Sequence, residues 1–267
     1  MKNKIPVKTE LIAIDKDQVL TEAMVLMEKK NISHLLVKDE GEIVGIITER
    51  DIADKFANFR DLKTERKLKS EQFHVSSAMN KNLKTIPFDA KITDAAKLMI
   101  ENGISSLPVV ENNKITGIVT KTDLIKEVNQ SGKEVAGFYS KVPVTITLGS
   151  SIVSARKVML NHGIHRILVT DEKGEKLLGI LSERAVASAL RDFRSALDKY
   201  KHADVRKLKV DDYMKRDPIT INPDVTVSEA AEIMCEKSIS GLPVVDDVPG
   251  ILTKTDIVRG ISEGTLP

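Results

Sequence analysis

The chain is poor in cysteine and in aromatic residues. It contains one cysteine, Cys235, and no tryptophan, and aromatic residues make up 3% of its 267 positions. A single cysteine excludes an internal disulfide and a metal site built from several thiolates, and it is typical of a reducing compartment. With so few aromatic rings, we do not expect a stacking platform for single-stranded nucleic acid.

An excess of one charge and long apolar runs are also missing. The 41 Lys and Arg residues and 39 Asp and Glu residues leave a formal net charge of +2, which does not indicate a nucleic-acid-binding protein. No apolar run approaches the roughly 20 residues that span a bilayer. The N-terminal segment also lacks the apolar core of a secretion signal. We therefore expect a soluble, cytoplasmic protein with neither a nucleic-acid nor a membrane partner.

The sequence does contain a fourfold internal repeat. Similar segments begin at four glycines and read GIITERDI from Gly45, GIVTKTDL from Gly117, GILSERAV from Gly179 and GILTKTDI from Gly250. Each follows a β-rich stretch such as ISSLPVV and, further upstream, a stretch of helical periodicity. Because these blocks recur in the same order four times, they predict a repeat protein.

The repeats alternate between two kinds. Repeats one and three carry Glu-Arg within this segment, and repeats two and four carry Lys-Thr, at Glu49-Arg50, Glu183-Arg184, Lys121-Thr122 and Lys254-Thr255. Gly45 and Gly179 are 134 positions apart (179 − 45), which is about half of the chain. The alternation predicts that a pair of repeats was duplicated, giving two tandem modules at 1–130 and 135–267.

Each repeat has the pattern of a strand, a helix, two strands and a second helix. We therefore predict an α+β protein with repeats at 1–58, 73–130, 137–192 and 208–264. In repeat two, the apolar stripe of a helix is formed by Ile92, Ala95, Ala96 and Met99. The Asn112-Asn113 pair predicts a hairpin between two β-rich runs. Since about 60 residues bury little core alone, we expect neighbouring repeats to pair.

Three repeats share a Thr-x-x-Asp box, in which a strand ends in Thr and a helix begins with Asp three positions later. The boxes are Thr48 with Asp51, Thr120 with Asp123, and Thr253 with Asp256. One interpretation is a capping box, in which hydroxyl and carboxylate satisfy the first amides of the helix. The other is a nucleoside site, in which the helix start binds phosphate and the carboxylate binds ribose. The residues alone leave both interpretations open.

These boxes, each following a hairpin of the L-P-V-V type, resemble the CBS domain, named for cystathionine β-synthase. The resemblance covers nearly the whole chain, and the segments VSSAM at 75–79 and VDDYM at 210–214 match the usual opening of such a repeat. The organisation as four repeats in two tandem pairs is similar to that of the γ subunit of AMP-activated protein kinase.

The resemblance implies a non-catalytic regulatory protein. Such proteins bind AMP, ADP or ATP in clefts between paired repeats and transmit the occupancy to a partner, here an unidentified protein in trans. The implied ligand-binding residues are Ile46, Thr48, Arg50, Asp51, Thr85, Ile86, Ser105, Ile118, Thr120, Thr122, Asp123, Thr145, Ile146, His165, Arg166, Thr220, Ile221, Ser240, Ile251, Thr253, Thr255 and Asp256. No catalytic residue, metal site or cofactor is implied, and a homodimer is left open.

Within this set, the resemblance gives the box carboxylates to ribose and His165-Arg166 to phosphate. Arg50 and its counterparts in the other repeats either face phosphate or lie in solvent. Ala185 removes the carboxylate from repeat three, so we expect that site to bind weakly or stay empty and the Asp123 and Asp256 sites to bind best. Two alternatives stay open, a sensor of S-adenosylmethionine or methylthioadenosine and a structural scaffold whose boxes are only caps.

Overall fold

The computed structural model describes residues 4–57, 73–128, 131–141, 143–199, 204–246 and 250–267. Internal contacts divide the chain into two compact units. The unit of Met1–Leu11, Leu83–Pro143 and Ile219–Pro267 holds repeats two and four, and we call it the even unit. The unit of Ile12–Asn82 and Val144–Pro218 holds repeats one and three, and we call it the odd unit.

The four repeats share one order of elements, except that the first strand of repeat four is reduced to a single bridge. Repeat one has β1 (Ala13–Asp15), α1 (Leu20–Lys30), β2 (His34–Asp39), β3 (Glu42–Thr48) and α2 (Glu49–Ala57). Repeat two has β4 (Ile86–Pro87), α3 (Ile92–Glu101), β5 (Ser106–Glu111), β6 (Lys114–Thr120) and α4 (Lys121–Ile125). Repeat three has β7 (Thr145–Thr147), α5 (Ile152–His162), β8 (Arg166–Thr170), β9 (Leu177–Ser182) and α6 (Glu183–Lys199). Repeat four has α7 (Val227–Glu236), β11 (Gly241–Val244), β12 (Gly250–Thr253) and α8 (Lys254–Ser262), and before them lies the two-residue strand β10 (Lys215–Arg216), which pairs with β9 of repeat three.

Each repeat has its own small sheet, which is mixed in repeats one to three and two-stranded and antiparallel in repeat four. The odd unit has sheets of order β1-β2-β3 and β10-β9-β8-β7, and the even unit has β4-β5-β6 and β11-β12. Each first strand runs parallel to the second, which is antiparallel to the third. In repeat four the first strand is reduced to a parallel bridge between Ile221 and Val244. The predicted α+β class with four strand-helix-strand-strand-helix repeats is confirmed.

The local signals of repeat two act as predicted. The stripe of Ile92, Ala95, Ala96 and Met99 is buried, with at most 4% of each residue exposed. Asn112 and Asn113 have φ values of 50° and 62°, the left-handed pair that a tight hairpin between β5 and β6 requires. Pro87 is the last residue of the two-residue strand β4. Strand β4 is an edge strand, where a missing backbone N–H is tolerated.

Repeats of the same kind share a core. In the odd unit α2 packs on α6, and in the even unit α8 packs on α3 and α4. The two apolar cores lie one within each unit. We expected neighbouring repeats to share a core, and within the units it is repeats one and three, and two and four, that do so. The tandem modules 1–130 and 135–267 stay a prediction, and the repeat ends at 58 and 130 lie outside the described residues.

Neighbouring repeats are nevertheless linked by their opening segments. The opening segment of a repeat is the stretch before its first strand. Each third strand forms an antiparallel bridge with one residue of the opening segment of a neighbouring repeat, in the pairs Ile46–Asn80, Ile118–Lys8, Ile180–Lys215 and Ile251–Ser140. Lys8 therefore opens repeat one but lies in the even unit, against β6 of repeat two. The exchange joins repeat one to repeat two, and repeat three to repeat four, through the chain itself.

We call the bridge between an opening segment and a third strand a crossing. It explains the glycine at the start of each repeated segment. A Cβ atom at Gly45, Gly117, Gly179 or Gly250 would lie within 3.0, 2.9, 2.8 or 2.5 Å of the carbonyl oxygen of Asn80, Lys8, Lys215 or Ser140. Real Cβ atoms essentially never show the distances found at Gly117, Gly179 and Gly250, and the distance at Gly45 is tighter than nine in ten real Cβ contacts. Glycine is needed because two backbones meet here, and this requirement is a reason for its recurrence in all four repeats.

None of the helices in the described ranges is both long enough and apolar enough to span a lipid bilayer.

We predict that Gly117→Ala destabilises the protein by about 1–3 kcal/mol, because the added methyl group must displace the opening segment that holds Lys8. Urea unfolding measures the change. Gly132→Ala is the matched control, since a Cβ at Gly132 meets nothing within 4 Å. Equal stability of the two variants would contradict the crossing.

Candidate functional site

Each Thr-x-x-Asp box caps its helix with one carboxylate oxygen. Oδ2 of Asp51 accepts hydrogen bonds from the Thr48 hydroxyl at 2.7 Å and the Thr48 amide at 2.8 Å. The corresponding distances are 2.6 and 3.0 Å for Thr120 with Asp123, and 2.6 and 2.8 Å for Thr253 with Asp256. The capping interpretation is therefore confirmed. It does not exclude a ligand, because these bonds use Oδ2 alone.

The other oxygen, Oδ1, has different neighbours in different boxes. Oδ1 of Asp123 lies 2.8 Å from the Lys8 ammonium, and the Asp123 side chain is 4% exposed. Oδ1 of Asp256 lies 3.6 Å from the guanidinium of Arg259, and its side chain is 15% exposed. Burial raises the pKa of the Asp51 and Asp256 carboxyl groups above their ordinary values. At Asp51 and Asp256, the hydrogen bonds and nearby charges thus do not fully offset the cost of burying the carboxylate. Asp123, in contrast, has a close counter-ion.

The residues between the first helix and the second strand of each repeat lie beside the start of the second helix. The carbonyl oxygens of Ser33, Ser105, His165 and Ser240 accept hydrogen bonds, at 2.9 to 3.2 Å, from the first helical amide after the third strand. Arg166 stands opposite Ser182 in the register of β8 and β9. These side chains therefore belong to the same neighbourhoods as the boxes.

The predicted strand residues Ile46, Ile118 and Ile251 have backbones that are already hydrogen-bonded. Their backbone N–H and C=O groups bond the opening segments at 2.8 to 3.1 Å, so these groups are not free to contact a purine. Ile118 is buried, and the other two are half-buried. What they offer a ligand is their side chains.

The first-strand pairs lie against the second strand of their own repeats. Ile86 and Ile221 are buried in the core of the even unit, and Ile146 packs on that of the odd unit. The threonines that precede them, Thr85, Thr145 and Thr220, are exposed. Thr85 and Ile86 line an open cavity of about 420 Å³ together with residues of α3, and its described lining contains no box residue.

The charged residue that follows each third strand contacts the repeat of the same kind. In the odd unit, Arg50 Nε donates to Glu183 Oε1 at 2.6 Å, and Arg184 Nε donates to Glu49 Oε1. Arg184 also donates to the carbonyl oxygen of Ile32 at 3.0 Å. Two equivalent pairs thus cross the contact between repeats one and three in opposite directions.

In the even unit, lysine and threonine form the corresponding pair of reciprocal hydrogen bonds. Lys121 Nζ donates to the Thr255 hydroxyl at 3.0 Å, and Lys254 Nζ donates to the Thr122 hydroxyl at 2.8 Å. These cations therefore contact the repeat of the same kind and do not lie free in solvent, and their role towards phosphate stays a prediction. The alternation between Glu-Arg and Lys-Thr in the sequence reflects which repeats meet.

His165 makes the odd unit asymmetric. Its Nδ1 lies 2.7 Å from Glu183 Oε2 and 3.1 Å from the Arg50 guanidinium, so it either donates to the glutamate or accepts from the arginine. Burial pushes the pKa of Glu183 upward, but the hydrogen bonds and charges of His165 and Arg50 outweigh it and lower the pKa on balance. At Glu49, burial dominates and raises the pKa despite Arg184. Arg166 interacts electrostatically with both glutamates, so predicted phosphate-binding residues surround an internal acid pair.

A second cavity, of about 360 Å³, lies between α1 and α6 of the odd unit. Ser182, Arg184 and Ala185 of repeat three line it together with Met24 and Met27 of α1. Repeat three therefore has space beside its box, although Ala185 supplies no carboxylate.

Sequence reasoning missed Glu49, Glu183 and Lys8 as members of these clusters. The two glutamates carried a signal, because each precedes an arginine in the repeats of the odd unit. Lys8 carried none, since it is distant in sequence from the box that it contacts.

We predict opposite effects of Glu49→Gln and Glu183→Gln on the pH dependence of stability. Because the folded pKa of Glu183 is lowered, this group makes stability rise with pH below the unfolded value of about 4.3, and its removal flattens that rise. Because the folded pKa of Glu49 is raised, it makes stability fall with pH just above that value, and its removal steepens the net rise. Urea unfolding between about pH 3 and 6 measures both slopes, and changes of the same sign would refute the asymmetry.

Comparison with known proteins agrees with this architecture. Protein MJ1225 of Methanocaldococcus jannaschii is 24% identical over 96% of this chain and 97% of its own. The crystal structure of MJ1225, described as a proposed archaeal homologue of γ-AMPK, matches with a TM-score of 0.82 and 22% identity over 94% of this chain and 95% of that one. An uncharacterised conserved protein from Pyrococcus horikoshii matches with a TM-score of 0.60 and 22% identity over 96% and 97% of the two chains. At these identities the two structures show a shared fold.

A further relative carries the name of an enzyme. The L-aspartate semialdehyde sulfurtransferase of M. jannaschii is 31% identical over 61% of this chain but only 27% of its own length. The CBS domain family itself matches residues 4–58, 75–130, 134–192 and 210–263. With four matches that cover most of its length, the chain belongs to the CBS domain family.

Proposed function

We propose that this protein is a non-catalytic sensor that binds adenine nucleotides, AMP, ADP or ATP, at its Thr-x-x-Asp boxes and transmits their occupancy to a partner protein in trans. The observation that supports the proposal is that each box carboxylate uses one oxygen for the helix cap and has a second oxygen outside it. Oδ2 of Asp51 and of Asp256 completes a helix cap, while burial raises the pKa of the same group. A pair of ribose hydroxyls would supply the hydrogen bonds that stabilise such a buried carboxylate.

Cationic residues near the boxes support a phosphorylated ligand. His165 and Arg166 lie at the start of β8, beside the Ser182 end of β9. Arg50, His165, Arg166 and Arg184 face two glutamates, so the cluster carries one excess positive charge with a neutral histidine (3 − 2 = +1). An excess of cations over acids suits phosphate better than the cationic sulfonium of S-adenosylmethionine.

Regulation would follow from differential affinity. A ligand shifts a conformation or a partner only if it binds one state more tightly than the other. The reciprocal bonds of the even unit join the Asp123 and Asp256 boxes through one helix contact, which is a physical connection through which occupancy of one box alters its counterpart. The cytoplasmic location, the absence of catalysis and the identity of the partner stay predictions.

We predict that Asp256→Asn weakens AMP binding at its box by about 10- to 100-fold, because a charged hydrogen bond to ribose is lost while an oxygen for the cap remains. Isothermal titration calorimetry with AMP measures the affinity and the number of sites.

Glu229→Gln is the matched control for this prediction. Glu229 caps α7 through the same pair of bonds, at 2.6 and 2.9 Å from Thr226, but stands at an exposed helix start. If Asp256→Asn binds AMP as the wild type does, the Asp256 box is only a cap and the proposed site is wrong. If the wild type itself binds no AMP, the scaffold alternative holds. If methylthioadenosine binds more tightly than AMP at the Asp256 box, the alternative ligand class holds there.

A further inference from the structure

Lys8 distinguishes the Asp123 box from the other two. Its backbone is fixed by two hydrogen bonds with Ile118, at 3.0 and 2.9 Å. Its ammonium reaches Oδ1 of Asp123 at 2.8 Å, and 53% of the Lys8 side chain remains exposed. The strand crossing thus sets the position of Lys8, while its charged end lies at the solvent side of a buried carboxylate.

The equivalent residues of the other three crossings differ in charge. Asn80 crosses the strand that leads to Asp51, Ser140 crosses the strand that leads to Asp256, and Lys215 crosses the strand that leads to Ala185. All four crossing residues are exposed. Among these four described crossings, only that of Lys8 combines a cation with a box carboxylate.

We propose that Lys8 is a specificity-determining residue of the Asp123 box and makes this box select adenosine ligands that carry a phosphate over those that do not. The inference rests on the proposed function and assigns a ligand class to one of its sites. It concerns a residue outside the box, in the segment that opens a different repeat.

The argument follows from the partners of Asp123. Since Oδ2 accepts two hydrogen bonds in the cap, a pair of ribose hydroxyls needs both acceptor positions of Oδ1, and the Lys8 ammonium uses one of them. Displacing the ammonium breaks an ion pair with a buried carboxylate, which is strongly unfavourable unless the ligand compensates. A phosphate on the same ligand gives the displaced ammonium a new charged hydrogen bond. The thioether of methylthioadenosine gives none, and the sulfonium of S-adenosylmethionine repels it.

Calorimetry on the full chain with Asp51→Asn and Asp256→Asn tests the proposal, because Asp123 is then the remaining box carboxylate. We expect Lys8→Gln in this background to weaken AMP binding about tenfold and to leave methylthioadenosine binding unchanged or tighter. Lys4→Gln removes an exposed lysine from the same segment and is expected to change neither affinity. Equal changes for both ligands in Lys8→Gln would overturn the role of Lys8.

The reverse substitution separates this proposal from the proposed function. Ser140→Lys in a chain with Asp51→Asn and Asp123→Asn places a lysine at the equivalent crossing, beside Asp256. We expect its preference for AMP over methylthioadenosine to increase about tenfold, and an unchanged preference counts against the proposal. If neither parent chain binds either ligand, the proposed function itself fails.

Discussion

The structure depends on the close crossing of two backbones at the glycine of each repeated segment. Because Gly45, Gly117, Gly179 and Gly250 have no side chain, the segment that opens one repeat can pair with the third strand of another. That pairing ties sequence neighbours together, and it also places one exposed residue of the opening segment before each box. The composition of the site is therefore decided partly by residues that belong to another repeat.

The box carboxylates complete their helix caps and still leave one oxygen outside the cap. A carboxylate has two oxygens, and the cap of each helix uses one of them. The charged group beside the second oxygen then distinguishes one box from another. At Asp123 it meets an ammonium, whereas at Asp256 a guanidinium lies further away. Similar motifs in one chain can thus differ in ligand preference although their local hydrogen bonds are nearly identical.

Much of the fold could be predicted from the sequence because its signals are local. The buried stripe of α3 and the left-handed Asn112-Asn113 turn follow from periodicity and backbone preference. The sharing of cores between repeats of the same kind could not be predicted, because spacing reports chain order and not which apolar helix faces meet. In the candidate site, the boxes could be recognised from the sequence as motifs. The alternation of Glu-Arg with Lys-Thr could also be recognised, but not that it marks the repeats that contact each other. Lys8 was invisible because its contact with Asp123 exists only after the opening segment has crossed into the even unit.

The central claim, that the boxes bind adenine nucleotides, is tested most directly by thermal unfolding of the unaltered protein with AMP, ADP, ATP, S-adenosylmethionine and methylthioadenosine in parallel. A ligand that binds only the folded state stabilises it by about 2.7 kcal/mol at a concentration 100 times its Kd. We predict that the unfolding midpoint rises with at least one of the three nucleotides and rises less with the two sulfur compounds. A midpoint that none of the five compounds changes would contradict the account.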